Sequence, residues 1–305
     1  MSPLAVILLV LAVPALLSAQ DSVSTPPRPS PAATARIGAE FRIPLASLLA
    51  PGMGQYLQGA PGPGAGFTGA AVAGYALYLT GDPAAPETSV LPHDPAGQQT
   101  IVGLGIVTAA GGLSAYDSFH RSLPALQAGG RYEFVTSHDS PGTLLLAPFD
   151  VRMLGRWTTW IDLAYTGAVT LVLVTTEKQP GKQYWPFRAR DGAFVTSFSY
   201  TAGVGEEALF RGWLYPVLHQ NTGGRVWLSN GLQAAVFGGL HVPQAKAFAL
   251  VIASWAVYEG WLTRRNGWSV RESVFHHFWY DVAVGAATLM TQRATVTIAF
   301  PGVRF

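Results

Sequence analysis

Apolar and polar positions follow one another along this chain in long blocks rather than in a short alternation. After an apolar run at residues 4–19, further apolar segments lie near residues 64–79, 100–115, 157–175, 193–218, 226–240, 247–262 and 273–290. A helix needs about 20 residues to cross a bilayer, so these segments are long enough if some are tilted or partly buried among their neighbours. The pattern predicts an all-α, polytopic helical membrane protein with about seven or eight hydrophobic segments.

Composition supports the membrane prediction and excludes several other classes of protein. Of the 305 residues, 49% are hydrophobic and 12% are charged, and this charged share is about half that of an average soluble domain. The formal net charge of +2, without a basic run, argues against nucleic acid as a partner. The absence of cysteine excludes disulfides, thiolate nucleophiles and cysteine-ligated zinc.

The first 40 residues have the composition of a targeting segment and a linker. Residues 1–20 contain an apolar core followed by small residues, as in a signal peptide, but no Lys or Arg precedes this core. We therefore expect either a cleaved signal peptide or a retained N-terminal anchor. Residues 21–40 are predicted to be a Pro-rich linker.

Residues 41–125 are predicted to form an N-terminal membrane hairpin domain. A turn with the sequence PGMGQY, at residues 51–56, comes before its first helix. This turn resembles the start of small bacterial membrane-hairpin domains, and a simple Gly/Pro turn before a helix is the alternative explanation. Neither explanation indicates a chemical role for the hairpin, and the tail at residues 293–305 has no predicted role.

The second half of the chain places ionisable residues inside its apolar segments. A charged side chain at the bilayer centre costs about 2.5–3.5 kcal/mol on insertion scales, so each is a candidate functional residue. Glu207 and Arg211 are four residues apart and share a helix face, where they can form an ion pair. Glu206 points about 100° away from Glu207, so the arginine leaves one glutamate free. His277 and Asp281 have the same four-residue spacing on the last segment.

A further histidine, His241, ends the segment that lies between these two groups in the chain. If the three segments converge, the free glutamate and one imidazole can hold a water molecule and act on it as a general base. A second imidazole with a polar neighbour could then stabilise the oxyanion that forms when this water attacks a peptide carbonyl. The arrangement therefore predicts a site for peptide-bond hydrolysis.

Three ordered motifs carry a resemblance to a known family. EEALFR at residues 206–211, FGGLH at residues 237–241 and HFWYD at residues 277–281 follow the order EExxxR, FxxxH and HxxxN/D. This order resembles that of the CPBP family of intramembrane endopeptidases, the CAAX protease and bacteriocin-processing (Abi) proteins. The resemblance covers about residues 145–292 and implies a CPBP-like intramembrane protease domain there.

The resemblance implies that Glu206 and His241 are catalytic residues that activate the water. The rest of the first motif, Glu207 and Arg211, would form a supporting ion pair. No cofactor is expected on this interpretation. A zinc-dependent version of the protease is the alternative, with Glu206, His241 and His277 as three ligands, which is an acceptable set for a catalytic zinc.

The third motif is implied to bind the oxyanion or to position the water through His277 and Asp281, which are also catalytic candidates. CAAX-processing members of the family usually carry Asn at the position of Asp281. An aspartate donates no hydrogen bond unless it is protonated. The oxyanion role therefore fits His277 better than Asp281, which would instead orient the imidazole.

The same motifs leave a second class of function open, a non-catalytic membrane immunity or scaffolding protein of the same fold. The expected partners are the membrane and a protein or peptide substrate, lipidated substrates included, with no nucleic acid. The expected location is that of an integral membrane protein of the bacterial inner membrane.

Three other ionisable residues are given no part in this chemistry. His276 is rotated off the helix face of the following histidine and is predicted to be a bystander. Glu259 is predicted to pair, near the membrane interface, with one of the two arginines that follow it at positions 264 and 265. Asp162 is an isolated acid in a predicted span, and the sequence indicates no partner for it.

Overall fold

The computed structural model describes residues 38–82, 94–137, 139–176, 187–245 and 248–291. The predicted signal or anchor segment, most of the Pro-rich linker and the tail at residues 293–305 lie outside the described residues. The helices are α1 (Ala39–Leu49), α2 (Met53–Leu57), α3 (Pro61–Leu79), α4 (Pro95–Ala128), α5 (Pro141–Leu146), α6 (Trp157–Thr176), α7 (Ala189–Leu209), α8 (Tyr215–Asn221), α9 (Val226–Ala245), α10 (Ala249–Arg265) and α11 (Arg271–Thr291). Short 3₁₀ turns at Ala147–Phe149 and Val151–Gly155 precede α6, and a π-helical turn at Phe210–Leu214 joins α7 to α8.

All regular secondary structure in the described residues is helical, which confirms the all-α prediction. Two helices within those residues, α4 and the Trp157–Thr175 part of α6, are long and apolar enough to cross a membrane. The predicted count of seven or eight hydrophobic segments is not confirmed. A physical reason lies in the sequence of helices such as α7 and α11, because each carries several charged residues that lower its average hydropathy.

The long helix α4 contacts α1, α3 and α7. Small residues at these contacts allow the helix backbones to lie close together. A Cβ atom on Gly205 of α7 would lie 2.5 Å from the Cα atom of Ala109, and one on Gly103 would lie 2.6 Å from the backbone nitrogen of Tyr78. Glycine at such positions lets helix backbones approach each other, as is common in membranes. The N-terminal hairpin of α3 and α4 therefore packs directly against the helix that carries the first motif.

The PGMGQY turn is held on α4 by buried hydrogen bonds. Gly52 has a φ of 97° and donates its backbone N–H to Oγ of Ser114 at 2.8 Å. Gln55 is fully buried, and its amide nitrogen donates to the Ser114 carbonyl at 2.8 Å and to Asp117 Oδ2 at 3.0 Å. The left-handed backbone of Gly52 favours glycine. In this structure the turn serves to attach the start of the hairpin to α4.

Candidate active site

The ion pair of the first motif is completely buried. Glu207 and Arg211 are both 0% exposed, and Nη1 of the arginine donates to Oε1 of the glutamate at 3.0 Å. The guanidinium carbon lies 4.2 Å from the ring centroid of Phe237 and 5.5 Å from that of Trp255. Because aromatic faces attract cations, these rings stabilise the guanidinium in a site that water does not reach.

A π-helical turn begins three residues after Glu207. It spans Phe210–Leu214 and includes Arg211. Gly212 of this turn lies so close to α4 that a Cβ atom would be 2.6 Å from Cε2 of Tyr116. Turns of this kind are rare and occur frequently at functional sites. The spacing of apolar residues in the sequence gives no indication of it.

His277 connects the first motif to the third. Its Nδ1 lies 2.8 Å from Oε1 of Glu207, and its Nε2 lies 3.4 Å from Oδ2 of Asp281 and 4.0 Å from Oε2 of Glu206. An ionised carboxylate only accepts hydrogen bonds, so Nδ1 of the histidine donates to Glu207. Glu207 therefore holds two donors, Arg211 and His277, rather than the arginine alone.

The proton on Nδ1 determines what the other nitrogen of His277 can do. A neutral ring with this tautomer presents an unprotonated Nε2, which accepts a hydrogen bond but cannot donate one. Only the imidazolium form donates from both nitrogens. Three carboxylates lie within 4.0 Å of the ring nitrogens, and one of them is paired with the single guanidinium. The imidazolium form therefore balances the charge of this group better than the neutral form.

The adjacent glutamates differ in how far their side chains are exposed. The Glu206 side chain is 25% exposed and that of Asp281 is 17% exposed, whereas Glu207 is fully buried. No hydrogen bond or ion pair among the described residues joins Glu206 to Arg211. Glu206 is therefore the glutamate that is free to contact a water molecule.

His241 lies beside this group and bonds to the backbone of its own helix. Its Nδ1 is 2.7 Å from the backbone carbonyl of Phe237, and a carbonyl only accepts, so Nδ1 carries the proton. In the neutral ring Nε2 is then unprotonated and able to act as a base. The Phe237 ring packs near both histidines, with its centroid 4.8 Å from that of His241 and 6.1 Å from that of His277. No hydrogen bond or ion pair joins His241 to Glu206 in the described part of the chain.

A second group contains ionisable residues to which the sequence pattern assigns no role in hydrolysis. Glu259 is 0% exposed and its Oε1 lies 3.1 Å from Nδ1 of His276, so the prediction that it pairs with an arginine near the interface is wrong. The same contact makes His276 more than a bystander. Asp162, for which the sequence indicated no partner, accepts a hydrogen bond from Nε1 of Trp255 at 2.9 Å. These contacts join different helices, so helical spacing within one segment could not indicate them.

Comparison with known proteins identifies the part of the chain that carries the three motifs. Residues 190–283 match the family described as type II CAAX prenyl endopeptidase Rce1-like, and all six motif residues with a predicted role lie within this range. No curated protein and no solved structure matches the chain. Residues 190–283 are therefore an Rce1-like domain of the CPBP family, whose proteins are membrane-embedded and protease-like.

Proposed function

We propose that this chain, with its Rce1-like domain at residues 190–283, is an intramembrane endopeptidase that uses water as the nucleophile. The main support is the difference between two adjacent glutamates. Glu207 is buried and bonded to Arg211 and His277, whereas Glu206 is accessible and has no arginine partner among the described residues. An accessible carboxylate at the edge of a buried ion-pair group is suited to act as a general base.

In the proposed reaction Glu206 and Nε2 of His241 orient one water molecule, and its proton passes to this pair. The water oxygen attacks the carbonyl carbon of the peptide bond and forms a tetrahedral oxyanion. His277, as an imidazolium, donates from Nε2 to that oxyanion. The C–N bond then breaks, and the abstracted proton passes to the leaving amine, so that the protons balance.

The other motif residues act through His277 in this proposal. Glu207 holds Nδ1 of the imidazole at 2.8 Å and is itself held by Arg211 at 3.0 Å. Asp281, 3.4 Å from Nε2, orients the ring and favours its protonated form by its charge. Neither carboxylate needs to donate a hydrogen bond, so an aspartate at position 281 is compatible with the reaction.

The proposed substrate is a protein or peptide at the membrane. Lipidated substrates are included, because the matching family is described as a CAAX prenyl endopeptidase. We also propose that the chain is an integral protein of the bacterial inner membrane, as the apolar segments and the signal-like start of the sequence suggest.

The direct test compares the peptides and proteins of membranes that contain the wild type or Glu206→Gln. Glu133→Gln is a matched control, because Glu133 is exposed and lies outside residues 190–283. We expect uncut proteins to accumulate only with Glu206→Gln. Identical peptide patterns in all three membranes would instead favour a non-catalytic immunity or scaffolding function.

The zinc-dependent version, with Glu206, His241 and His277 as ligands, requires a separate test. A protein identified as a substrate is incubated with the purified wild type before and after treatment with a strong chelator. Cleavage that persists in a fully stripped sample contradicts zinc at these three residues. Cleavage that disappears and returns with Zn²⁺, while Tm stays unchanged, supports it.

A further inference from the structure

A second buried cluster joins helices α6, α10 and α11. It contains Asp162, Glu259 and His276, which are 1%, 0% and 0% exposed. One carboxylate oxygen from each acid and one ring nitrogen of the histidine all lie within 4.8 Å of one another. Among the described residues no other set of three or more His, Asp or Glu side chains meets this condition.

Each acid in the cluster has one oxygen with a partner and one without. Oδ1 of Asp162 accepts from Trp255 at 2.9 Å, and Oε1 of Glu259 contacts His276 at 3.1 Å. Oδ2 of Asp162 and Oε2 of Glu259 are buried and have no hydrogen-bond partner in the described residues. Buried polar atoms are nearly always satisfied, and an unpaired buried carboxylate is strongly unfavourable. A cation or a proton is therefore required at these oxygens.

The charge of the cluster favours a divalent cation. Asp162 and Glu259 together carry two negative charges when ionised. A divalent ion would balance both and, by displacing the proton that Nδ1 of His276 donates to Glu259, would leave a neutral ring with a lone pair for binding. A protonated His276 would balance only one of them.

The neighbouring acid, Glu272, does not alter this balance. Its Oε2 accepts from Arg156 Nη1 at 2.5 Å and from Asn266 at 2.7 Å, and its Oε1 accepts from Thr158. Oε1 of Glu272 lies 3.9 Å from Nε2 of His276, whereas Arg156 is in direct contact with the carboxylate and balances its charge. The carboxylates of Asp162 and Glu259 therefore still lack a positive charge that balances both.

The donor atoms indicate which class of ion fits. Ca²⁺ and Mg²⁺ prefer sites made of oxygen alone, whereas a set of two carboxylates and one imidazole suits Zn²⁺ or Mn²⁺. Nε2 of His276 lies 3.0 Å from the hydroxyl of Thr159, which leaves Nδ1 on the side of Glu259. Histidines that bind metals are usually oriented by such a contact at the other nitrogen.

We propose that Asp162, Glu259 and His276 form a buried structural site for a divalent transition-metal ion. The ion would tie α6, α10 and α11 together at a place distinct from the residues proposed to hydrolyse the peptide bond. The indole that bonds to Asp162 also packs edge-on against His277, with a centroid separation of 5.2 Å. The ion would thereby hold Trp255 in place beside His277 without contacting substrate.

The test uses the full chain, purified in detergent, stripped with a chelator and then titrated separately with Zn²⁺ and Mn²⁺. Metal content is measured by mass spectrometry and stability by thermal unfolding. We expect about one ion per chain in the wild type and a rise in Tm of about 5 °C or more on reloading. Asp162→Asn and Glu259→Gln are expected to retain no ion and to show no such rise.

Two controls make the outcome specific. Asp117→Asn removes a different buried acid, one already bonded to Arg121 at 2.6 Å and Gln55 at 3.0 Å, and should bind metal as the wild type does. Glu206→Gln should also keep its metal. Loss of the ion in Glu206→Gln would assign it to the catalytic group and overturn the proposal.

Other results would also overturn it. Equal metal content in the wild type, Asp162→Asn and Glu259→Gln would mean an adventitious ion only. A folded wild type whose Tm does not respond to either metal would mean that a shared proton occupies the cluster. This last measurement needs no variant, so the proposal stays testable even if the substitutions prevent folding. None of these readouts depends on peptidase activity.

Discussion

Two histidines that are neighbours in the chain serve two different regions of the molecule. His277 contacts the buried Glu207 at 2.8 Å, and His276 contacts the buried Glu259 at 3.1 Å. Around His277 the group opens to Glu206, whose side chain is 25% exposed. In the cluster around His276 each of the three side chains is at most 1% exposed. The exposure of the side chains, rather than the residue types, therefore separates a group that can act on water from one that can only hold an ion or a proton.

The two regions also differ in how their buried glutamates are neutralised. Glu207 has Arg211 beside it on the same helix, four residues along the chain. Glu259 has no such arginine, and one of its oxygens lacks a partner in the described residues. The first region therefore carries its own cation, whereas we propose a bound metal ion for the second.

The largest expected effect is that of Glu206→Gln on turnover. Losing a general base should lower the cleavage rate about 10³-fold. Because the side chain is partly exposed and pairs with no arginine of the described segments, Tm should change by no more than about 2 °C. The measurement is the cleavage rate of a substrate found by membrane peptidomics, together with thermal unfolding of both forms. Unchanged cleavage would contradict the role of this glutamate.

The next largest effect is expected for Glu207→Gln, and it falls on stability. The substitution leaves Arg211 buried without its counter-charge, which should lower the free energy of unfolding by about 3 kcal/mol. Glu259→Gln, measured in the presence of a chelator, is the matched comparison, because it removes a buried charge whose ion-pair partner in the described residues is His276 rather than an arginine. It should be neutral or stabilising. Equal losses for the two variants would remove the distinction between the regions.

Gly205→Ala should have a smaller effect that is confined to the first region. Its Cβ would lie 2.5 Å from Cα of Ala109, so α7 must shift away from α4. We expect a loss of about 2 kcal/mol in stability and a lower cleavage rate, because Glu206 moves with the helix. Gly167→Ala on α6 is the control, since nothing lies within 4 Å of its added Cβ. Tolerance of both substitutions would show that this close approach does not position the glutamate.

The smallest effect concerns Asp150, which precedes α6 and bonds to Arg152 at 2.7 Å and to Arg271 at 2.5 Å. The hydrogen bond from Arg152 lowers the pKa of Asp150 from 3.8 to about 2. Because the folded pKa is the lower one, the carboxylate stabilises the folded state above pH 3.8, and this contribution is lost as the pH falls through about 2.

For this partly solvated group the expected difference in Tm between the wild type and Asp150→Asn is about 2 °C or less near neutral pH. Thermal unfolding of both forms at a series of pH values measures it. The difference should shrink as the solution is acidified. A difference that grows on acidification would contradict the direction of the pKa shift.

Contacts within a single helix were predictable from the sequence. Glu207 pairs with Arg211 at 3.0 Å, and His277 lies 3.4 Å from Asp281, both at a spacing of four residues. Helical geometry alone brings such residues to one face. The all-α fold and the family of residues 190–283 also followed from apolar blocks and ordered motifs.

Contacts between helices were not predictable in the same way. The bond between Glu207 and His277 joins positions 70 apart, and that between Glu259 and His276 joins positions 17 apart. Spacing within one helix favours an arginine nearby in the sequence as the partner of Glu259, whereas packing between helices gives it His276. The predicted count of seven or eight hydrophobic segments is likewise not confirmed, because apolar runs alone do not register the polar side chains that such helices carry.

The sequence by itself determined which charges lie in apolar surroundings and, through a helical period of about 3.6 residues, which of them share a face. The tertiary structure decided that Glu206 is accessible while Glu207 is closed in, and it gave His276 its partners. The physical reason is that helix geometry is local and repeats along the chain. Helix packing depends instead on close approaches between distant residues, such as that of Gly205 to Ala109.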